Sequence, residues 1–308
     1  MGSITVLDGG MGKELRRIGA PFRQPEWSAL ALMEAPEMVA LAHRNFIEAG
    51  AHVITTNNYA VVPYHLGDEL FEARGRDLIG LAGRVAREVA DESATEVLVA
   101  GSLPPLFGSY EPTRFVPEPA AEIYASIVEE LDPYIDVWLA ETLSLTDEMI
   151  VIAGAIAEYG SGQTFWSSFS LPDHWEDDRV AIRSGQTPAD VASVVADRGD
   201  IGAVLFNCSL PEQIGPAIDE LAPALSTHDA TVRFGAYANA FPLQRGTGYA
   251  ANEVIFERRA ELTAEYYSDT VAEWVAAGAT IVGGCCDMYP EHIAALAERF
   301  GQTVRPVR

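Results

Sequence analysis

Short runs rich in β-branched and aromatic residues recur along the whole chain: TVLDG at 5–9, HVITTN at 52–57, EVLVAGS at 96–102 and VWLAET at 137–142, then TFWSSFS at 164–170, AVLFNCS at 203–209, VRFGAYAN at 232–239 and TIVGGCC at 280–286. Between them apolar residues return with the helical period over 37–49, 67–91, 118–131, 145–159, 188–197, 211–225, 262–278 and 290–300. Helix-start signals support this reading, with Thr187 before Pro188 and Ser209 shortly before Pro211. No linker, low-complexity segment or close repeat interrupts the alternation. Parallel strands need helical crossovers and eight of them close a sheet, so the pattern predicts one α/β domain over residues 1–308, a (β/α)8 TIM barrel. A doubly wound sheet is the rival. Its phosphate-binding turn belongs after the first strand, where Leu7-Asp8-Gly9-Gly10-Met11-Gly12 lacks the GxGxxG spacing, and no P-loop lysine pattern occurs.

Composition narrows the function. The 308 residues carry 45 acidic against 20 basic side chains, a formal net charge of -25. Such a surface repels phosphate backbones and anionic lipid, which argues against nucleic-acid and membrane partners, while a cationic small molecule is not repelled. With 48% hydrophobic residues the chain is not a disordered polyanion. Lys13 is its single lysine. The N-terminus has no basic leader and no apolar run reaches the roughly 18 residues that span a bilayer, which points to the cytoplasm. MGS at the start fails as a myristoylation signal because Val6 stands where Ser or Thr is needed.

In a barrel the chemistry gathers where strands end. Those ends carry Asp8, Thr56 with Asn57, Glu141, Asn207 with Cys208, Asn239, and Cys285 with Cys286. All three cysteines of the chain therefore fall at the ends of the sixth and eighth strands, which one strand separates. Three thiolates suit Zn2+, and a set of three leaves one coordination position open where a structural site would close with four. A buried apolar role is the competing reading for Cys208 alone, and a redox pair for Cys285 and Cys286. For the three together, beside Gly283 and Gly284, metal binding is favoured. Among the histidines, His292 falls within a helical segment and is expected to face solvent. His43, His52, His65, His174 and His228 show no ligand spacing.

The segments LDGGMGKEL (7–15), WSALALMEAPE (27–37), AGAHVITTNNY (49–59), ETL (141–143), NCS (207–209) and GGCC (283–286) followed by PEHI resemble the zinc-dependent homocysteine S-methyltransferases. That family includes the betaine- and S-methylmethionine-dependent enzymes and the homocysteine-binding module of methionine synthase. The resemblance implies a (β/α)8 barrel, with Zn2+ held by Cys208, Cys285 and Cys286. It implies homocysteine held by Asp8, Glu141 and the glycine turn Gly9, Gly10 and Met11. Asn207 is read as orienting the turn before Cys208, or supporting the site from behind, rather than as binding the metal. Trp27 and Tyr59 match aromatic positions that face the methyl donor in the betaine-using members. Turn capping competes with that role for Asp8, a barrel ion pair for Glu141, and plain packing for Trp27.

The implied reaction moves a methyl group from an onium donor to a zinc-bound homocysteine thiolate, giving methionine. S-methylmethionine or S-adenosylmethionine are favoured as donor over betaine. Phe107, Tyr110, Trp166 and Trp175 are further candidates for the pocket. Departures from the family pattern are Asp287 after the cysteine pair, YANAF at 237–241 and the loop at 104–115, all at the rim where the donor is chosen. The residues after Phe300 are too few for the dimerising extension of some relatives, which implies a monomer or a loose homodimer. Competing functions are a methyltransferase component served by a separate corrinoid protein and a non-catalytic zinc or redox thiol protein.

Overall fold

A computed structural model describes residues 3–175, 179–228, 232–242 and 258–301. Eight strands lie within them: β1 (Thr5–Val6), β2 (Val53–Thr55), β3 (Leu98–Leu103), β4 (Val137–Leu143), β5 (Thr164–Phe169), β6 (Ile201–Asn207), β7 (Arg233–Ala238) and β8 (Ile281–Gly284). All pair in parallel, in the order β1-β8-β7-β6-β5-β4-β3-β2. The two ends of that order meet through a parallel bridge between Leu7 and Val53. There the Asp8 N–H donates to the Val53 carbonyl (3.0 Å) and the His52 N–H to the Val6 carbonyl (2.7 Å). The His52 ring reinforces the seam, its Nδ1 accepting from the Val6 N–H at 3.0 Å. The result is the (β/α)8 barrel that the alternation predicts.

Each strand is buried on both faces, which is why it reads as an apolar run. Alternate residues split between two cores. Leu7, Val53, Leu139, Trp166, Leu205 and Ile281 point inward and fill the barrel. Their neighbours Val6, Ile54, Trp138, Val204, Phe206 and Val282 point outward beneath the helices. The helices that follow the strands are α3 (Pro36–Glu48), α5 (Asp68–Glu92), α6 (Pro117–Leu131), α7 (Thr146–Tyr159), α8 (Pro188–Arg198), α9 (Pro211–Thr227), α10 (Ala264–Ala276) and α11 (Pro290–Phe300), close to the expected spans. Three further helices were not expected: α1 (Met11–Arg17) and α2 (Ser28–Glu34), which stand before α3, and the single turn α4 (Pro63–Leu66). At α8 the start signal works as read, since Thr187 and Asp190 form a reciprocal capping box with Pro188 in the first turn. At α9 Leu210 occupies the cap position, and Ser209 instead ties two strand ends together by accepting from the Leu171 N–H and donating to the Asn207 carbonyl, both at 2.8 Å. No helix among the described residues is long and apolar enough to cross a membrane.

Candidate metal centre and active site

The strand ends open into a cavity of about 470 Å³. At its base Cys208 follows β6, and Cys285 and Cys286 follow β8. Their sulfurs all lie within 4.8 Å of one another, and the Cys208 and Cys286 sulfurs are 3.7 Å apart. That separation is far longer than the about 2.05 Å of a disulfide. Backbone bonds hold the three in place: Cys208 N–H donates to the Tyr237 carbonyl (3.2 Å), Cys285 N–H to the Ala238 carbonyl (2.8 Å), and the Cys286 carbonyl accepts from Ala240 N–H (3.0 Å). The Tyr110 hydroxyl reaches across from the loop after β3 and donates to the Cys208 sulfur at 3.0 Å.

The Cys285 and Cys286 thiols are both pushed well above their usual range, chiefly by hydrogen bonding with Cys208 and further by burial. Thiols raised in this way keep their protons unless a cation takes the protons' place. A soft divalent metal is such a cation, and the cluster is able to hold one.

Asp8 closes β1. Its carboxylate accepts from the Thr55 N–H (2.7 Å) and hydroxyl (3.2 Å). Burial raises its pKa to about 7 against the opposing pull of those bonds. Glu141, in β4, accepts from the Ser102 hydroxyl at 2.6 Å. Burial pushes it to about 8, with the nearby Asp8 adding to the rise. Two carboxyl groups thus line one cavity with protonation poised near neutrality.

Between Asp8 and α1 the glycine turn packs directly on the cysteine turn. A Cβ on Gly9 would lie 2.4 Å from the Met288 carbonyl oxygen, and one on Gly10 2.6 Å from that of Cys285. No side chain fits either gap. The buried ion pair of Lys13 and Asp287, 2.9 Å apart, ties α1 to the residue after Cys286.

Five non-glycine residues among those described have a left-handed backbone: Trp27, Tyr110, Thr142, Cys208 and Asp287, with φ between 48° and 70°. Each such conformation costs about 1–3 kcal/mol. Four of them line the cavity and the fifth is the partner of Lys13, which lines it too. Backbone strain is concentrated at this one place, as it is where geometry serves a ligand.

Asp8, Gly9, Gly10, Met11, Trp27, Tyr59, Glu141 and the three cysteines all line the cavity, as do Thr56 and Asn57. Trp27 meets Phe22 edge to face at 5.2 Å, and the Tyr59 hydroxyl shares a hydrogen bond of 2.6 Å with Ser109. Asn207 stands behind the wall: its Oδ1 accepts from the Thr142 N–H and the Ser168 hydroxyl, both at 2.8 Å, and its Nδ2 donates to the Thr142 hydroxyl at 2.9 Å. It holds the strained backbone of Thr142, next to Glu141.

Tyr110 joins the cavity. Phe107 and Trp175 pack against the outer core and Trp166 fills the barrel. Asn239 is buried, with its Oδ1 accepting from the Phe241 N–H. His292 does not face solvent. It is fully buried, with Nδ1 accepting from the Tyr289 N–H at 3.1 Å and Nε2 3.1 Å from the Leu262 carbonyl, because its ring satisfies the backbone N–H at the start of α11. The residues after Gly301 lie outside the described ones. Arg183, Asp173 and Glu111 also line the cavity, and no motif marked them, since they come from loops without a recognisable spacing.

Proteins of known activity resemble this chain over nearly its whole length. A homocysteine S-methyltransferase of Escherichia coli strain K12 is 29% identical over 313 residues, spanning 96% of this chain and 95% of its own. A selenocysteine methyltransferase of Astragalus bisulcatus is 24% identical, spanning 95% and 91%. The crystal structure of the E. coli homocysteine methyltransferase MmuM in its metallated form superposes with a TM-score of 0.76 at 27% identity, covering 97% of this chain and 96% of that one. With the homocysteine S-methyltransferase family model matching residues 5–300, this chain belongs to that family of methyltransferases.

Proposed function

We propose that the protein methylates the thiol of homocysteine to give methionine, using an onium compound as donor and Zn2+ held by Cys208, Cys285 and Cys286. The observation that carries this reading is the meeting of three cysteine sulfurs with the carboxyl groups of Asp8 and Glu141 in one cavity. Bound there, Zn2+ would lower the pKa of an incoming thiol and present it as a thiolate at neutral pH.

The remaining work falls to the chain's own groups. Asp8 and Glu141 take the ammonium group of homocysteine. The Gly10 N–H is committed to the Met288 carbonyl at 2.8 Å, so the homocysteine carboxylate falls to the N–H groups of Gly9 and Met11. Trp27 and Tyr59 offer ring faces that attract a methylated cation. In the transfer the acceptor sulfur forms a bond to the methyl carbon as the donor's bond to that carbon breaks. The bonding pair stays on the donor, which leaves neutral, and the thiol proton departs to solvent. Asn207 acts on this reaction by fixing Thr142 and hence Glu141.

The test is methionine formation by zinc-loaded protein from homocysteine with S-methylmethionine, S-adenosylmethionine and betaine in turn. Turnover with any free donor supports the reading and removes the need for a corrinoid partner. Failure with all three overturns it. In Cys208→Ala, metal content and turnover are expected to be lost together, and retention of either would place the chemistry elsewhere.

A further inference from the structure

The described cavity wall carries two Lys or Arg side chains, Lys13 and Arg183. Lys13 stands on the glycine-turn side and makes a close ion pair with Asp287. Arg183 stands on the other side, in the segment between β5 and α8. Its guanidinium carbon lies 4.2 Å from the centroid of the Tyr110 ring, and its Nη2 lies 3.7 Å from the Asp173 carboxylate. Only 15% of the Arg183 side chain is exposed. Tyr110 is itself fixed, by its left-handed backbone at one end and by its hydroxyl bond to Cys208 at the other. The chain Cys208, Tyr110, Arg183 therefore sets a guanidinium one tyrosine ring away from the metal ligands.

A positive charge in that place is unfavourable for a bare methylated cation. It becomes favourable when the donor carries a carboxylate at the far end from its reactive methyl. The planar guanidinium fork matches a carboxylate with two parallel hydrogen bonds, which a lysine ammonium does not. Asp173, beside it, suits an α-ammonium group on the same donor.

Resting on the methyl-transfer reading above, we infer that Arg183, held on the Tyr110 ring, is the residue that selects the methyl donor, admitting onium compounds that carry a carboxylate and rejecting those without one. The onium centre then lies toward Trp27, Tyr59 and the cysteines, and the carboxylate toward the mouth.

The experiment measures equilibrium binding of S-methylmethionine and of dimethyl(propyl)sulfonium, the same sulfonium without the amino-acid end, to the zinc-loaded wild type, Arg183→Met and Arg183→Lys. The wild type is expected to prefer S-methylmethionine. Arg183→Met should weaken S-methylmethionine by about 10- to 100-fold, the loss that accompanies removal of hydrogen bonds to a charged group. It should leave the analogue unchanged or bound more tightly, so that the preference collapses. Arg183→Lys should fall between. Unaltered homocysteine affinity and circular dichroism identify a folded variant. An intact preference in Arg183→Met, or a wild type that does not distinguish the two sulfonium compounds, overturns the proposal. Because binding is read directly, absence of methionine formation would count against the reaction and not against this site.

Discussion

At the scale of single residues, the site rests on groups whose protonation burial has shifted. Asp8 and Glu141 titrate near 7 and 8 because the folded cavity disfavours their charge. A raised carboxyl pKa means that the group is neutral below it and charged above it, and only the charged form pairs with an ammonium group. The apparent affinity for homocysteine should therefore rise between pH 6 and pH 8.5, read as kcat/KM at fixed saturating donor, and Glu141→Gln should both lower it and flatten the rise. A profile unchanged by Glu141→Gln would remove that residue from acceptor binding. Asn207 makes a different prediction. Asn207→Ala leaves the buried Thr142 N–H without its acceptor, which costs about 1–3 kcal/mol. Chemical denaturation should show that loss, and zinc should bind more weakly because Thr142 and Cys208 both adopt left-handed backbones beside it. The three cysteines and both carboxylates were legible because they stand at the ends of recognisable strands. Arg183, Asp173 and Glu111 were not, since loops without a recognisable spacing carry them and only tertiary folding brings them to the cavity. His292 was misjudged because a polar residue on an amphipathic helix normally faces water, and here its ring is needed inside to cap the helix start.

Among elements, all eight strands were readable because burial on both faces demands unbroken runs of apolar residues. The helices α1, α2 and α4 were not readable. They span seven, seven and four residues, too few turns for a helical period to stand out, and α1 overlaps a segment that reads as a glycine turn. The helix α3 was readable, yet it hides a cost: His43 is fully buried within it, and burial lowers its pKa to about 3. The folded state then holds this imidazole neutral while the unfolded chain protonates it near 6.5. The stability this contributes is present above pH 6.5 and is lost as pH falls toward 3, at up to about 1.4 kcal/mol per pH unit. His43→Leu puts an apolar side chain of similar bulk in its place and removes the titration. Its denaturation free energy relative to wild type should improve steadily from pH 6.5 to pH 4.5. A constant difference across that range would show that His43 does not contribute to acid sensitivity.

For the whole molecule, the -25 charge is a field rather than a contact. Many of its cations sit in surface ion pairs such as Arg76 with Glu129 and Glu130, or Arg299 with Asp269, and such pairs contribute at most about 1 kcal/mol each. The excess carboxylates repel one another across the surface, and compaction brings them closer than they are in the unfolded chain. Salt shortens the reach of that repulsion from about 30 Å at 0.01 M to about 8 Å at 0.15 M. Because repulsion among unpaired acids outweighs weak exposed pairs, the melting temperature should rise as sodium chloride is added across this range. The same screening acts in the opposite direction on the reaction. A sulfonium donor with an ammonium and a carboxylate group has net charge +1 and is drawn by the field, whereas homocysteine is a neutral zwitterion. Added salt should therefore raise the KM of the donor while leaving that of homocysteine nearly unchanged. A fall in melting temperature would place the stabilising electrostatics in the ion pairs, and equal effects on both substrates would confine donor attraction to the rings and carboxylates of the cavity itself.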